Sequence, residues 1–560
     1  RINNIRMSRI KIDYGIDLGT TNSAIARMEN GEPTVIKTDL RDSSIMPSCV
    51  GFDRKGTIRV GGEAANGLRS DRKNAMKKWD LLESNYFIEF KRTMGTDKKY
   101  HSSNMASDYN SEQLSSEVLK KLRSFISDED FQSVVVTVPA KFDIRQKDAT
   151  LRAAKLAGFT HCELLQEPIA ASMAYGLANK SKNGFWVVFD FGGGTFDAAL
   201  VKVEDGIMKV VDTDGDNYLG GKNLDSAIVD EIIIPYFEKE YSIESILEDS
   251  NKKKILQEAM KYYAEEAKIQ LSFKNEHNIL SDLGDIPGED DNGEEFELDI
   301  TITENDLKKV LSPIFQRAID ITADLLKRNN LPGIKLEALI LVGGPTYSPI
   351  LREMLEKQVR KPDTSADPMT AVAVGAALYA STIDLSEEVK EVTRDKTKVQ
   401  LDIGFEASTV ELEEWVTLKT IPEKTEGTIP AKVFAEIVRN DRAWSSGKVQ
   451  INDKGEILEV KLLEHKANSF EVTLFDDSGN RMECQPDTFT IIQGSKIGSA
   501  TLPYFIGVEV KRRKDGRLIF TSANGLEMNQ SLPAKGTLNG LKTQKQIRPG
   551  ISSDVIKIPI

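Results

Sequence analysis

Cysteine and histidine are scarce in this 560-residue chain, which has three of the first and four of the second. Cys49, Cys162 and Cys484 lie far apart and form no CxxC pair, so neither a disulfide framework nor a Cys/His zinc site is readable. They read as buried structural thiols. No apolar run approaches the roughly 18 residues that a membrane helix requires, the longest strings being 338–342 and 186–189. Positive charge is in deficit. Lys plus Arg total 74 against 87 for Asp plus Glu, a net charge of −13, which argues against wrapping nucleic acid or anionic lipid. The first residues lack the apolar core and small-residue cleavage site of a secretory leader. Met7 reads as the native start and the cytoplasm as the expected compartment. What remains is ordinary globular composition, 40% hydrophobic and 29% charged, with length for about three or four compact units.

The first two-thirds of the chain alternates β-rich and helical runs, which predicts an α/β fold. Strands are expected at 14–17, 133–138, 184–190 and 336–342, the last three almost wholly apolar, as in strands covered on both faces. Helices are expected at 111–126, 143–157, 251–272 and 304–328. The last opens on Thr303 and Asp306, a pair able to satisfy the orphan amides of a first turn. The texture changes after 382. Residues 386–398, SEEVKEVTRDKTK, hold four acids and four bases among thirteen positions and read as a solvated connector. Beyond it short alternating runs (VQLDIGF, KVFAEIV, LEVKLLE, SFEVTLF, FIGVEVKRR, GRLIFTS, VIKIPI) recur between turn signals, which predicts a β-sandwich with hairpins.

The α/β region uses a single local plan twice. YGIDLGTTNSAIARMENG (14–31) and VVFDFGGGTFDAALVKVEDG (187–206) each give an apolar strand, an aspartate, a small-residue turn, a second strand and a closing Asn/Asp-Gly. Gly19 and Gly192, Gly193 and Gly194 let backbone amides approach an anion closely, and Thr20, Thr21 and Thr195 add hydroxyls. Asp17, Asp190 and Asp197 can hold a hydrated magnesium between the turns. A lone hairpin of this kind is an ordinary turn; two facing copies would clamp a triphosphate. A third element, the apolar run 338–342 opening on Gly343 and Gly344 and then a helix over 349–359, suits nucleotide approach at a strand's carboxyl end.

Eight motifs stand in order: DLGTTN (17–22), FKR (90–92), TVPAKF (137–142), QEPIAASMAYG (166–176), DFGGGTFD (190–197), GDNYLGGKNLD (215–225), EEAKIQLS (265–272) and LVGG (341–344). In these the chain resembles the DnaK-type, seventy-kilodalton heat-shock chaperones of the actin-like ATPase superfamily, over roughly residues 13–383. DLGTT alone would also fit sugar kinases. The resemblance implies a two-lobed actin-like ATPase, a duplicated ribonuclease-H-like fold, over 8–383. A charged linker over 384–400 and a β-rich, sandwich-like substrate-binding domain over 401–560 would follow.

It also implies ATP and ADP as ligands, with Mg²⁺ and K⁺ as the ions. Asp17, Asp190 and Asp197 would position the metal and its waters. Gly19, Thr20, Thr21, Asn22, Gly192, Gly193, Gly194, Gly220 and Gly221 would cradle the nucleotide. Lys91 would reach the γ-phosphate, Glu167 would orient the attacking water, and Thr195 would be a phosphate contact or phosphorylation site. Glu265, Lys268, Ser272, Gly343 and Gly344 match nucleoside-binding positions. Read without the family, Lys91 and Glu167 are a strand-end cation and a carboxylate before proline.

The departures are specific. Tyr347 stands where the family has an arginine over the adenine, Asp367-Pro368-Met369-Thr370 replaces Asn-Pro-Asp-Glu, and Lys147 replaces the arginine that works with the switch proline, here Pro139. Gln400 interrupts the apolar linker at 399–402. No long amphipathic helix follows the β-rich tail, so the family's helical lid is expected to be absent. The expected function is ATP binding and slow hydrolysis coupled to binding of extended hydrophobic peptide, with a J-domain co-chaperone and a nucleotide exchange factor as partners. The alternatives are a nucleotide-regulated binding module with little turnover, and a small-molecule kinase.

Overall fold

The computed structural model describes residues 9–497, apart from 39–42, 81–82, 180–182 and 283, together with 507–512, 514 and 517–523. The described chain falls into two units, one ending at Lys496 and one starting at Ile497.

The first unit opens with two sheets built on one plan. In the first, strands run in the order His161–Gln166, Ser133–Val138, Tyr14–Asp17, Asn22–Glu29 and Glu32–Val35. The first three are parallel to their neighbours and the last two antiparallel. In the second, Leu336–Val342 lies parallel to Gly184–Phe191, which continues antiparallel into Phe196–Glu204 and Ile207–Asp216. This is the duplicated two-lobed architecture expected. The apolar runs became central strands because both of their faces are covered: all of Ser133–Val138 is buried, and Val187, Phe189 and Leu339 are fully enclosed. Helix Glu304–Arg328 starts on the expected box, with Thr303 Oγ1 donating to Asp306 Oδ2 at 2.6 Å and the Thr303 amide donating to the same oxygen at 3.0 Å.

Helix Glu167–Asn179 touches both sheets, and helix Ala371–Ala380, by its run of small residues, lies directly on it and on strand Tyr14–Asp17. Contact is so close that a methyl group on Gly15 would overlap the Ala377 amide nitrogen, and one on Gly375 would overlap the Ala170 carbonyl. Gly15→Ala is therefore expected to lower stability by about 1–3 kcal/mol, because backbone on both sides leaves no side chain to yield. Denaturant titration would show this as a lower first midpoint, and an unchanged midpoint would count against such tight packing.

A β-sandwich completes the unit. One sheet runs Glu456–Lys461, Glu413–Thr420, Val399–Gly404, Cys484–Gln485; the other runs Ser408–Thr409, Thr488–Gln493, Ala467–Phe475, Val433–Arg439, Ser445–Ile451. Val433–Arg439 alternates buried and half-buried residues without a break, and Phe470 stacks on Phe489 at 5.0 Å in the core. Beyond the expected runs, Glu413–Thr420, Ser445–Ile451 and Thr488–Gln493 and the two-residue strands Ser408–Thr409 and Cys484–Gln485 complete the sheets.

The segment from 384 is more structured than a solvated connector. The amide of Leu385 donates to the Ile10 carbonyl at 2.9 Å and Lys11 pairs with Asp384 at 3.0 Å, so residues 10–12 strap the chain as it leaves the lobes. Glu387–Thr393 is then a helix with no buried residue. Val399–Gly404 is already the sandwich's first strand, with Val399 and Leu401 in its core instead of on the lobes. Gln400, only 2% exposed, explains its own presence among apolar neighbours. Its amide nitrogen donates to the Asp395 carbonyl at 2.8 Å, and Gln485 Oε1 accepts from the Asp395 amide at 2.6 Å.

Cys49 and Cys484 are buried, which pushes their thiols up to about 12, while Cys162 is half-buried. No helix among the described residues is long and apolar enough to cross a membrane. In the second unit Gly507–Lys511 pairs antiparallel with Leu518–Ser522, the expected late hairpin; its Asp515-Gly516 turn and the run VIKIPI lie outside the described residues.

Candidate functional site

The aspartates come together because each ends or faces a strand end. Asp17 closes Tyr14–Asp17, and Asp190 and Asp197 sit directly opposite each other across the second lobe's hairpin. Burial raises Asp17 and Asp197 to about 7 and Asp190 well above its ordinary range; repulsion from Glu167 adds to each, and Lys91 opposes it. Lys91 Nζ donates to Glu167 Oε1 at 2.6 Å, with side chains only 6% and 12% exposed. Lys91 lies in the 3-10 helix Phe90–Thr93, beyond the strand end expected for it, and Glu167 opens helix Glu167–Asn179. Lys91 thus faces all four carboxylates, with Lys141 adding its charge at Asp197, an arrangement still short of positive charge.

The two small-residue turns face each other. The first is pinned from below: the Gly19 amide donates to Ser23 Oγ at 3.1 Å and Ser48 Oγ donates to the Gly19 carbonyl at 2.8 Å. In the second, the Gly192 amide donates to the Thr195 carbonyl at 2.9 Å, and the amides of Gly221 and Lys222 donate to the carbonyls of Gly192 and Gly193. Gly193 is obligatory for their approach, since a methyl there would overlap Thr21 Oγ1. That hydroxyl is buried and has no hydrogen-bond partner among the described residues, so the turns leave a polar atom unsatisfied for a ligand.

A cleft of about 740 Å³ runs from these turns. Thr20, Thr21, Asn22, Gly193 and Gly221 of the turns line it together with Glu265, Lys268, Ser272, Gly344 and Tyr347. Lys91, Glu167 and the three aspartates are not among the residues that line it. Gly220 supports the turns, because its own methyl would strike the Gly194 backbone. Gly343, at φ +90°, turns the chain out of strand Leu336–Val342 with its amide on the Pro368 carbonyl at 2.9 Å. Lys268 is held by Asp225 at 2.6 Å, and the Tyr347 hydroxyl donates to Asp367. Lys147 is half-buried on helix Ile144–Leu156, and burial holds its ammonium below the usual range.

Several participants carry no signal in the sequence. Asp225 sits within the GDNYLGGKNLD run but only the fold puts it on Lys268. Glu89, Arg92 and Lys222 bridge the lobes: Glu89 pairs with Lys222 at 2.5 Å and with Arg92 at 3.1 Å, and Arg92 donates to the Gly194 carbonyl. Higher in the cleft Arg72 pairs with Glu258 at 2.9 Å and Arg69 lies over the Tyr262 ring at 3.2 Å. Phe273, next to Ser272, could have been noticed as an aromatic residue just beyond a polar helix.

Comparison with known proteins gives the family. The HSP70 family model, described as "Hsp70 protein", matches residues 13–433. The chain is similar to the "Chaperone protein DnaK" of Methanothermobacter thermautotrophicus, 34% identical over 70% of this chain and 62% of that one. It is also similar to that of Nitrosopumilus maritimus, 32% identical over 70% and 59%, and to the "Chaperone protein dnaK" of Cyanophora paradoxa, 35% identical over 70% and 63%. The chain thus spans about three-fifths of the length of these curated relatives.

Proposed function

The chain belongs to the HSP70 family, and on that premise we propose that it is an ATP-driven chaperone: the lobes bind and slowly hydrolyse ATP, and the sandwich binds extended hydrophobic peptide. In this reading the lobes up to 383 are the motor, the segment from 384 the coupling element, and the sandwich the peptide-binding domain, working in the cytoplasm with a J-domain co-chaperone and an exchange factor. The observation that carries the chemistry is the enclosed Lys91–Glu167 pair among Asp17, Asp190 and Asp197.

The donor set fits a magnesium ion held through its water shell. Three repelling aspartates call for a cation, while no three acidic, His or Cys side chains among the described residues converge closely enough to ligate an ion directly. Such an ion, with potassium beside it, would neutralise charge on the phosphates. The chain's own residues supply the rest. Thr21 Oγ1 and the amides of both turns receive phosphate oxygens, and Thr195 stands beside them. Lys91 presents its ammonium where negative charge moves outward during transfer. Glu167, fixed by that ammonium, offers its second carboxylate oxygen to a water.

The test is phosphate release from MgATP with and without an extended apolar peptide. Slow release raised by peptide is expected. ATP binding without release would leave a nucleotide-regulated binding module, and transfer to a small hydroxylic acceptor would make it a kinase.

A further inference from the structure

The turn that follows strand Ser133–Val138 carries a second cation toward the acidic cluster. The Phe142 amide closes it on the Pro139 carbonyl at 3.1 Å, and Asp143 caps the next helix through a reciprocal pair with Gln146 at 2.8 and 3.0 Å, so the backbone at 140–142 is fixed on both sides. The Phe142 ring lies 5.8 Å from Lys91 Nζ, which sets the turn against the Lys91–Glu167 pair. From this turn Lys141 reaches the second lobe, with Nζ 3.6 Å from Asp214 Oδ1 and its side chain 43% exposed. Asp214 has little need of that ammonium. It accepts from Arg328 and, at 2.8 Å, from the Gly215 amide, whereas Lys141 stands beyond hydrogen-bond distance.

Asp197 has more need of it. It stands opposite Gly215 in the ladder, one position from Asp214, and a methyl on Gly215 would lie 3.0 Å from Asp197 Oδ1. Glu167 repels it, and Lys141 opposes the resulting rise more than Lys91 does. The cluster joins Asp17 and Glu167, which follow strands of the first sheet, to Asp190 and Asp197 on the second, so like charges push the lobes apart where the groups must stay in register. Resting on the hydrolysis proposed above, we propose that Lys141 is a positioning residue for that reaction: its ammonium, extended from the first lobe, holds the Asp197 carboxylate in place against Glu167, and Asp214 is only where it rests.

Single-turnover phosphate release from MgATP by the full chain, beside calorimetric ATP affinity, tests this. Lys141→Met should release phosphate about tenfold more slowly with ATP affinity within about twofold of wild type, since a carboxylate free to turn away costs rate and not binding. Lys141→Arg keeps the charge and should stay within about threefold of the wild-type rate, as should Asp214→Asn, which removes only the resting place. Exchanging the charges, Lys141→Asp with Asp214→Lys, should be at least as slow as Lys141→Met, because it sets an anion beside Asp197. If the exchange restores the wild-type rate, or Asp214→Asn is as slow as Lys141→Met, the pair is a tie between the lobes and the inference is overturned. A Lys141→Met rate within about twofold of wild type overturns it too. Should Lys141→Met not fold, Asp214→Asn and the exchanged pair decide alone. A wild-type chain that releases no phosphate would instead overturn the proposed function, and the inference with it.

Discussion

Lys91→Ala should bind ATP nearly as the wild type does and release phosphate at least about a hundredfold more slowly, the range seen when one preorganised transition-state donor is removed. Binding is spared because the turns, the Thr21 hydroxyl and the far end of the cleft do not depend on Lys91. Hydrolysis is not, for two reasons that compound. The ammonium matters most when charge redistributes on the transferring phosphoryl group. Its loss also strips Glu167 of its 2.6 Å partner and removes the cation that opposes the rise of Asp17 and Asp190, leaving Asp197 to Lys141. Single-turnover phosphate release beside calorimetric ATP binding separates the two effects, and turnover within about twofold of wild type would remove Lys91 from the chemistry.

Leu401→Asp should unfold the sandwich. The residue is 4% exposed in a core with Val416, Leu418, Val460 and Phe489, and no cation among those neighbours compensates a carboxylate. The cost is about 3–5 kcal/mol, from a lost buried side chain and a stranded charge, a large share of one domain's stability. Two heating transitions in the wild type should become one, with peptide binding gone and ATP turnover retained in the lobes. A variant whose sandwich still melts cooperatively near the wild-type temperature, yet has lost peptide-stimulated turnover, would instead show residues 399–402 working as a linker against the lobes.

That contrast marks where the sequence is and is not readable. Strands such as Ser133–Val138 and Leu336–Val342 announce themselves as unbroken apolar runs, and Glu304–Arg328 by its capping pair. The paired turns are legible because the plan repeats. By contrast Ser445–Ile451 is an edge strand whose one buried residue is Ile451, and Glu413–Thr420 buries only three of its eight residues, so neither has the apolar content that signals a strand. VQLD reads as a linker because four residues cannot say which apolar surface they will meet. The cross-lobe bonds of Glu89, Arg92 and Lys222, and the hold of Asp225 on Lys268, depend on elements more than a hundred or some forty positions apart being brought together, which local periodicity does not encode.

The straps at Leu385 and Asp395 leave little chain free between the motor and the sandwich. Only the helix Glu387–Thr393 and its flanks span the distance, a tether of roughly 10 Å at about 1.5 Å per residue. Held so near, each domain meets the other at an effective concentration on the order of millimolar, so contacts far too weak to join separate proteins are occupied much of the time. The Asn440 amide on the Asn30 carbonyl at 3.5 Å and Lys11 over the Phe405 ring at 4.9 Å are of that strength. A signal passing between the domains need therefore shift only a small free energy, and lengthening the tether by a glycine-serine insert would dilute it without touching either domain.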